Sequence, residues 1–362
     1  MRKLMFYINT IHHGGAERVM TLLTGALAER GYDCTLITSF PDEQWEYPLS
    51  SKVRRINLEE KEIDDGFLKK NFRRTKRLRE LCAKEKPDYL ISFMPQPILR
   101  SLMATIGTPV RNIISIRNDP SLYWKNKIEN VLATLLLKRT DWAVFQTPNA
   151  RDYYRDTDLY NKSSVILNPV DLPFYKIEPN HEAKTVVSCG RLVEQKNYAL
   201  LIEAFEKISS KFPDWKLLIY GVGPLELKLL TLINSLDMHD KIFLMGASDN
   251  IPKVLSESSI FVLSSDYEGL PNALMEALAS GVPSISTMCP CGGPEYLINT
   301  GENGLLIPVG NREKLCGALE LLIENEEKRV LISKNAKLMA KEYELNSIIS
   351  KWERIFAELE AG

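Results

Sequence analysis

Short apolar runs alternate with longer amphipathic stretches along the whole chain, which predicts strand and helix in turn. Residues 3–8 (KLMFYI) are the first apolar run. From Ala16 the spacing becomes helical, with Val19, Leu22, Leu23, Ala26 and Leu27 on one face and Gly31 closing the segment. Residues 34–38 form the next strand. Residues 66–86 read as a basic amphipathic helix. Phe67, Leu68, Phe72, Leu78, Leu81 and Cys82 fall on one side, and Lys69, Lys70, Arg73, Lys76 and Arg77 on the other. Strands follow at 88–93, 112–116, 143–147 and 165–167, with a helix over 126–139. The second half repeats the pattern, with strands at 185–189, 215–220, 242–246, 260–263 and 282–286. Asn303-Gly304 predicts a tight turn between two short strands. Helices are expected over 312–324, 327–342 and 345–360.

Strand–helix–strand repetition implies parallel sheets. A polar segment holding Pro173 and Pro179 follows Asn168-Pro169-Val170-Asp171 and reads as a linker. The expected architecture is α/β: two Rossmann-like, doubly wound domains facing each other across an interdomain cleft. The first covers residues 1–172 and the second 173–344, with the helix near 345–362 packing back on the first domain. Ligands of such sheets bind at the carboxyl ends of the strands.

Composition is that of a soluble globular chain, 44% hydrophobic and 26% charged over 362 residues. No apolar run is long enough to span a bilayer, and the one at the N-terminus is too short for a signal peptide. Six cysteines are scattered without a CxxC pair, which fits reduced thiols and a cytoplasmic protein. Cys289 and Cys291 are the closest pair, but nothing nearby completes a metal site. Residues 1–168 hold 27 Lys and Arg against 20 Asp and Glu, and the remainder 19 against 27. This asymmetry suggests that one half faces something anionic. The helix over 66–86 is either a packed surface helix with a solvated basic face or a contact for anionic lipid at the inner face of the membrane. No aromatic interleaving or nucleic-acid module accompanies the charge, so nucleic acid is not an expected partner.

The chemistry concentrates in residues 264–279, SSDYEGLPNALMEALA, after the apolar run Ile260-Phe261-Val262-Leu263. Gly269 and Pro271 break the chain and a helical pattern follows. A strand feeding a helix through a glycine turn presents bare N–H groups where the helix dipole favours an anion. Glu268 lies before that helix and Glu276 about one turn inside it. Gly14-Gly15 after the first strand offers a second close approach for a ligand. It is not a GxGxxG fingerprint, and no acidic residue ends the second strand, which argues against NAD.

With these motifs in place the chain resembles the family 4 glycosyltransferases of the two-Rossmann-domain type, GT-B. EGLPNALME fits their E-x7-E signature, and GGAER, NPVD, GRLVEQKN, GVGP, GGPEYL and GENGLLIPVGN match in order across residues 14–311. The resemblance implies sugar transfer from a nucleotide-sugar, UDP-linked by expectation, with retention of configuration and without metal or other cofactor. It assigns Arg191 and Lys196 to the diphosphate, Glu268 to donor-sugar hydroxyls and Glu276 to the ribose. Gly15, Gly190, Gly269, Leu270, Pro271, Asn272 and Ala273 complete the donor site, and the base is expected near Gly246 and Ile251. Where many relatives carry a histidine, this chain reads Ser115-Ile116-Arg117-Asn118. Arg117, Asn118 and His13 are therefore assigned to the acceptor side. No Asp or Glu is placed as a nucleophile opposite Glu268, so a front-face mechanism is expected. The expected acceptor is a glycan or a polyprenyl-diphosphate-linked glycan of bacterial surface polysaccharide or glycolipid synthesis. Two other readings share the fold: a nucleotide-sugar epimerase, and a non-catalytic nucleotide-sugar-binding partner.

Overall fold

The computed structural model describes residues 1–12, 14–40, 46–59, 66–124 and 127–361; the side chains of Phe67, Leu68 and Ile128 lie outside the described set. The chain divides into two compact units, Met1–Pro169 with Leu345–Gly362, and Val170–Glu344.

The first unit carries β1 (Lys3–Ile8), α1 (Gly15–Glu29), β2 (Asp33–Thr38), β3 (Arg54–Asn57), α2 (Phe67–Glu85), β4 (Tyr89–Phe93), α3 (Pro95–Ala104), β5 (Arg111–Ile116), α4 (Lys127–Leu136), β6 (Trp142–Phe145), α5 (Pro148–Asp152), α6 (Asp158–Asn161) and β7 (Ser163–Val165). Its sheet is parallel throughout, in the order β3-β2-β1-β4-β5-β6-β7. From β1 the chain steps one way to β2 and β3, then crosses to β4 on the other side of β1. The crevice outside the carboxyl ends of β1 and β4 is thus a switch point. Right-handed crossovers put α1 on one face and α2, α3 and α4 on the other.

The second unit carries β8 (Thr185–Cys189), α7 (Tyr198–Ser209), β9 (Lys216–Tyr220), α8 (Glu226–Ser235), β10 (Ile242–Gly246), α9 (Ile251–Ser256), β11 (Ile260–Leu263), α10 (Asn272–Ala279), β12 (Ser284–Thr287), α11 (Gly293–Leu297), β13 (Leu305–Ile307), α12 (Arg312–Glu324) and α13 (Glu326–Met339). The order β10-β9-β8-β11-β12-β13, again parallel, puts a switch point between β8 and β11. Its core gathers Val186, Leu217, Ile219, Ile260, Val262 and Ile285 from the strands and Leu201, Phe205, Leu315 and Leu319 from the helices, all buried. Apolar strands covered on both faces read as continuous hydrophobic runs.

The last helix, α14 (Leu345–Ala361), belongs to the first unit and packs on α1. Phe356 meets the Tyr89 and Tyr32 rings at 5.1 and 5.7 Å, and Arg30 pairs with Glu353 at 2.5 Å.

Two elements were not anticipated and one turn needed correction. β3 carries no apolar run that marks it; α3 carries Ile98, Leu99 and Leu102 at helical spacing and opens on Pro95, at a helix start that tolerates proline. Asn303-Gly304 is followed by β13, but only an isolated Thr300–Gly304 bridge precedes it. There Asn303 is a buried plug whose side chain accepts from the Asn299 N–H and donates to the Leu297 carbonyl. Pro271 occupies the cap of α10, with Asn272 as first helical residue.

α2 uses much of its positive charge inside its own unit. Arg73 and Arg74 each reach the buried Glu59 through Nε and Nη2, at 2.6–2.9 Å. Burial alone would raise the Glu59 pKa, but the bonds from Arg74 and Arg73 outweigh it and hold it below the usual range. Arg77 donates to the Leu58 carbonyl, and Arg79 to the Ile106 carbonyl at 2.7 Å. For these arginines the packed-helix reading of residues 66–86 is the one the structure supports.

Candidate active site

At the switch point of the second unit, the loop after β8 meets the loop after β11. Gly190 starts the first loop at φ 158°, where a Cβ would crowd the Tyr198 hydroxyl and the Lys196 stem. The neighbouring loop after β9 comes as close. A Cβ on Gly221, whose φ is 147°, would stand 1.8 Å from the Gly190 carbonyl oxygen. Backbone bonds from Gly190 N to Tyr220 O and from Leu192 N to Val222 O hold the two loops together.

Side chains then join the β8 loop to the β11 loop. Lys196 Nζ lies 2.5 Å from Glu268 Oε1. Ser265 Oγ donates to the same carboxylate oxygen at 2.7 Å. Gln195 Nε2 donates to the Tyr267 carbonyl at 2.8 Å and reaches Glu268 Oε2 at 3.4 Å. Asn197 Nδ2 donates to Asp266 at 2.7 Å, and Ser264 Oγ donates to the Lys196 carbonyl at 2.9 Å. Glu268 is buried, and a buried carboxylate needs such partners. Arg191 projects exposed beside this knot, without an ion-pair partner among the described residues.

α10 runs from the same point. Its cap residue, Pro271, makes no side-chain cap bond, and the first N–H groups of a helix have no intrahelical acceptor. Asn272 and Ala273 are half-buried, while Leu270 and Pro271 are buried. Glu276 is buried one turn in. Burial, and secondly the Glu276 carboxylate, push the Cys189 thiol at the end of β8 well above its ordinary range. A third loop closes the group. A Cβ on Gly293 would stand 1.8 Å from the Gly269 carbonyl, and Thr287 Oγ1 donates to the Ser265 carbonyl at 2.6 Å.

The structure therefore brings Gly190, Lys196, Glu268 and Gly269 into one set of loops, with Arg191 on the first of them and Leu270, Pro271, Asn272, Ala273 and Glu276 on the helix that leaves it. Gly246 ends β10 with φ 73°, and its carbonyl accepts from the Gly221 N–H at 2.7 Å. Ile251 is the first residue of α9, half-buried. Sequence reasoning missed Ser265, Gln195, Asn197 and Asp266; the polar run directly after the apolar β11 was the available signal for Ser265 and Asp266, and the polar loop after β8 for Gln195 and Asn197.

The remaining assignments lie in the first unit. Gly15 is the first residue of α1, exposed at the switch point between β1 and β4. Glu17 folds back over Gly14, where a Cβ would overlap its carboxylate. Arg117 leaves β5 half-buried: it bonds Asn168 and, at 3.1 Å, Ser115, and stacks 4.3 Å from the Phe93 centroid. Burial lowers its pKa to about 9, against a smaller opposite pull from Tyr123 and Glu17. Asn118 is exposed, its side-chain oxygen accepting from the Asp119 N–H. His13 lies outside the described residues. Among the described residues no group of His, Cys, Asp and Glu could hold a metal ion, and no helix is long and apolar enough to cross a membrane.

Comparison with known proteins agrees with this fold. The profile of Glycosyltransferase Family 4 matches residues 13–174, and that of Glycosyl transferases group 1 matches residues 174–339. An uncharacterized glycosyltransferase of Haemophilus influenzae is 30% identical over 98% of this chain and 100% of its own. The N-acetylgalactosamine-N,N'-diacetylbacillosaminyl-diphospho-undecaprenol 4-alpha-N-acetylgalactosaminyltransferase of Campylobacter jejuni is 29% identical over 95% and 96%. Among solved structures, HepE of Anabaena in complex with UDP superposes with a TM-score of 0.81 at 15% identity, over 99% of this chain and 100% of that one. The chain belongs to the family 4 glycosyltransferases and has the GT-B fold; its activity is glycosyl transfer.

Proposed function

We propose that this chain moves a hexose or N-acetylhexosamine from a UDP-sugar to a hydroxyl of a polyprenyl-diphosphate-linked glycan, retaining anomeric configuration and using no metal ion or cofactor. The product belongs to a bacterial surface polysaccharide or glycolipid, made at the inner face of the cell membrane. The contact between Lys196 and Glu268 at the switch point carries the reading. In a nucleotide-sugar, the last phosphate and the sugar it holds are bonded neighbours. A cation and a carboxylate in contact match one ligand that is anionic on one side and rich in hydroxyls on the other. The Campylobacter relative supports a lipid-diphosphate acceptor, and HepE supports UDP as the nucleotide.

In this reading Arg191, Lys196 and the N–H groups at the start of α10 take up the negative charge that grows on the departing diphosphate. Glu268 holds the sugar hydroxyls and Glu276 the ribose. Ser265 and Gln195 are positioning residues that keep the Glu268 carboxylate aimed. The bond between the anomeric carbon and the phosphate oxygen breaks, the acceptor oxygen bonds to that carbon on the same face, and the acceptor proton passes to the phosphate oxygen that leaves. Arg117, Asn118 and His13 remain assigned to the acceptor.

A donor panel tests this. UDP-Glc, UDP-Gal, UDP-GlcNAc, UDP-GalNAc and GDP-Man are each added in excess, and the melting temperature is read. At about 100-fold excess over Kd a binder stabilises by about 2.7 kcal/mol. A clear rise with at least one UDP-sugar is expected. A rise with GDP-Man alone, or with none, contradicts the assignment.

A further inference from the structure

One helix of the first unit turns large apolar side chains to solvent. In a surface helix the large apolar side chains normally face the core and the charged ones face water. In α4 the small Ala133 is buried, while Val131 and Leu135 are each 60% exposed and Leu132 is exposed between them. Val131 and Leu135 stand four residues apart and so share a face. Lys127 precedes Val131 by one turn, and Lys138 and Arg139 follow Leu135 by one turn; all three are exposed. The outward surface is an apolar stripe with cations at both ends.

α2 carries a smaller version. Phe72 is 74% exposed, with Lys69 and Lys76 one turn before and after it, both exposed. Lys76 lies 3.9 Å from Glu80, both well exposed, and such pairs neutralise little. α2 and α4 flank α3 on the same face of the sheet. Residues 66–139, from which that face is drawn, contain 16 Lys and Arg against 5 Asp and Glu; Arg73, Arg74, Arg77, Arg79, Arg100 and Arg117 among them bond within the unit and are not counted as part of the outward surface.

We infer that the α2–α4 face of the first unit seats on the surface of an anionic phospholipid bilayer. Val131, Leu132, Leu135 and Phe72 enter the headgroup–acyl boundary, and Lys69, Lys76, Lys127, Lys138 and Arg139 lie at the phosphates. α4 lies in the membrane plane, as its ten residues cannot span it. Charge selects the occupant: a neutral apolar partner gives no role to cations at both ends of the stripe, and a second copy of this face would set positive charge against positive. The neighbouring cavity of about 540 Å³, lined by Trp124, Leu137 and Tyr153, is not part of the seat, because Asp156 and Asp158 line it too; Lys138 is the one seat cation that also lines it. The seat moves the lipid contact of residues 66–86 from the arginines of α2, which bond internally, to its exposed lysines and to α4. It stands whether or not the chain transfers sugar.

Sedimentation of the full chain with vesicles tests it. Binding is expected with vesicles of ~30% phosphatidylglycerol in phosphatidylcholine and is expected to fall steeply in ~0.5 M salt. Val131→Glu with Leu135→Glu is expected to weaken partitioning at least about tenfold without lowering the melting temperature, since both sites are exposed. Should that variant fail to fold, Lys127→Glu with Lys138→Glu serves, and is expected to weaken binding comparably. No binding, equal binding to pure phosphatidylcholine, or binding untouched by the folded variants overturns the inference. So does a concentration-dependent dimer, seen by analytical ultracentrifugation, that the glutamate variant dissociates while vesicles stay unbound.

Discussion

Glu268 is held from three directions. Lys196 neutralises it, Ser265 donates to one carboxylate oxygen, and Gln195 approaches the other. A carboxylate so restrained is aimed before any ligand arrives, which favours hydrogen bonds formed in the transition state over those formed on encounter. Glu268→Gln keeps the shape and removes the charge. It is expected to leave UDP binding within about threefold and to lower kcat by about a hundredfold. Lys196→Ala should differ in kind, weakening UDP itself as well as turnover, because the proposed role of the cation is to hold the diphosphate. Calorimetric titration with UDP, alongside steady-state kinetics, separates the two. A Glu268→Gln enzyme with unchanged kcat ends that role, and a Lys196→Ala enzyme that binds UDP normally ends the other.

At the scale of elements, the site depends on how closely strand-end loops approach. Gly221 allows the β9 loop to touch the β8 loop, and a Cβ there meets backbone, which cannot rotate away. Gly221→Ala, at φ 147°, is expected to cost about 2 kcal/mol or more and to lower the melting temperature of the second unit by roughly 5 °C. An unchanged melting curve means the loops are not held as described. The same elements mark how far sequence patterns reach. Strand runs such as Ile260-Phe261-Val262-Leu263 are continuous and apolar because both faces of a parallel sheet are covered, so periodicity found them. β3 was missed because RRIN has no such run and is largely half-buried. The glycine loops were legible because glycine directly after an apolar run marks a strand end where the backbone must turn tightly. The knot around Glu268 was not, since Gln195 and Glu268 are 73 residues apart and only folding brings them together. The burial of Glu59 hid the pairing of Arg73 and Arg74 in the same way, as the carboxylate lies in a stretch with no periodic signal.

At the scale of the whole molecule, both units repeat one scheme: a parallel sheet with a switch point, and a glycine-containing loop beside it. They differ in charge. The first half carries a positive excess, concentrated on the α2–α4 side, and the second half a negative one. That division suits a basic unit near a lipid-linked acceptor and a separate unit for a soluble donor. The resemblance reaches unequally: most of its residue assignments fall in the second half, and in the first it rests on GGAER and NPVD. Nucleoside-diphosphate sugars share one diphosphate, so under the proposed function the second unit keeps a recognisable constellation. Acceptors differ, and the chain has Arg117 where many relatives have histidine. The most direct measurement of the central claim is the anomeric configuration of the product. The full chain is incubated with its best UDP-sugar and a polyprenyl-diphosphate-linked acceptor in excess EDTA, and the new linkage is read by proton NMR. The account predicts undiminished transfer in EDTA and the same anomeric configuration as in the donor; an inverted linkage, or transfer that stops until a divalent metal is restored, contradicts it.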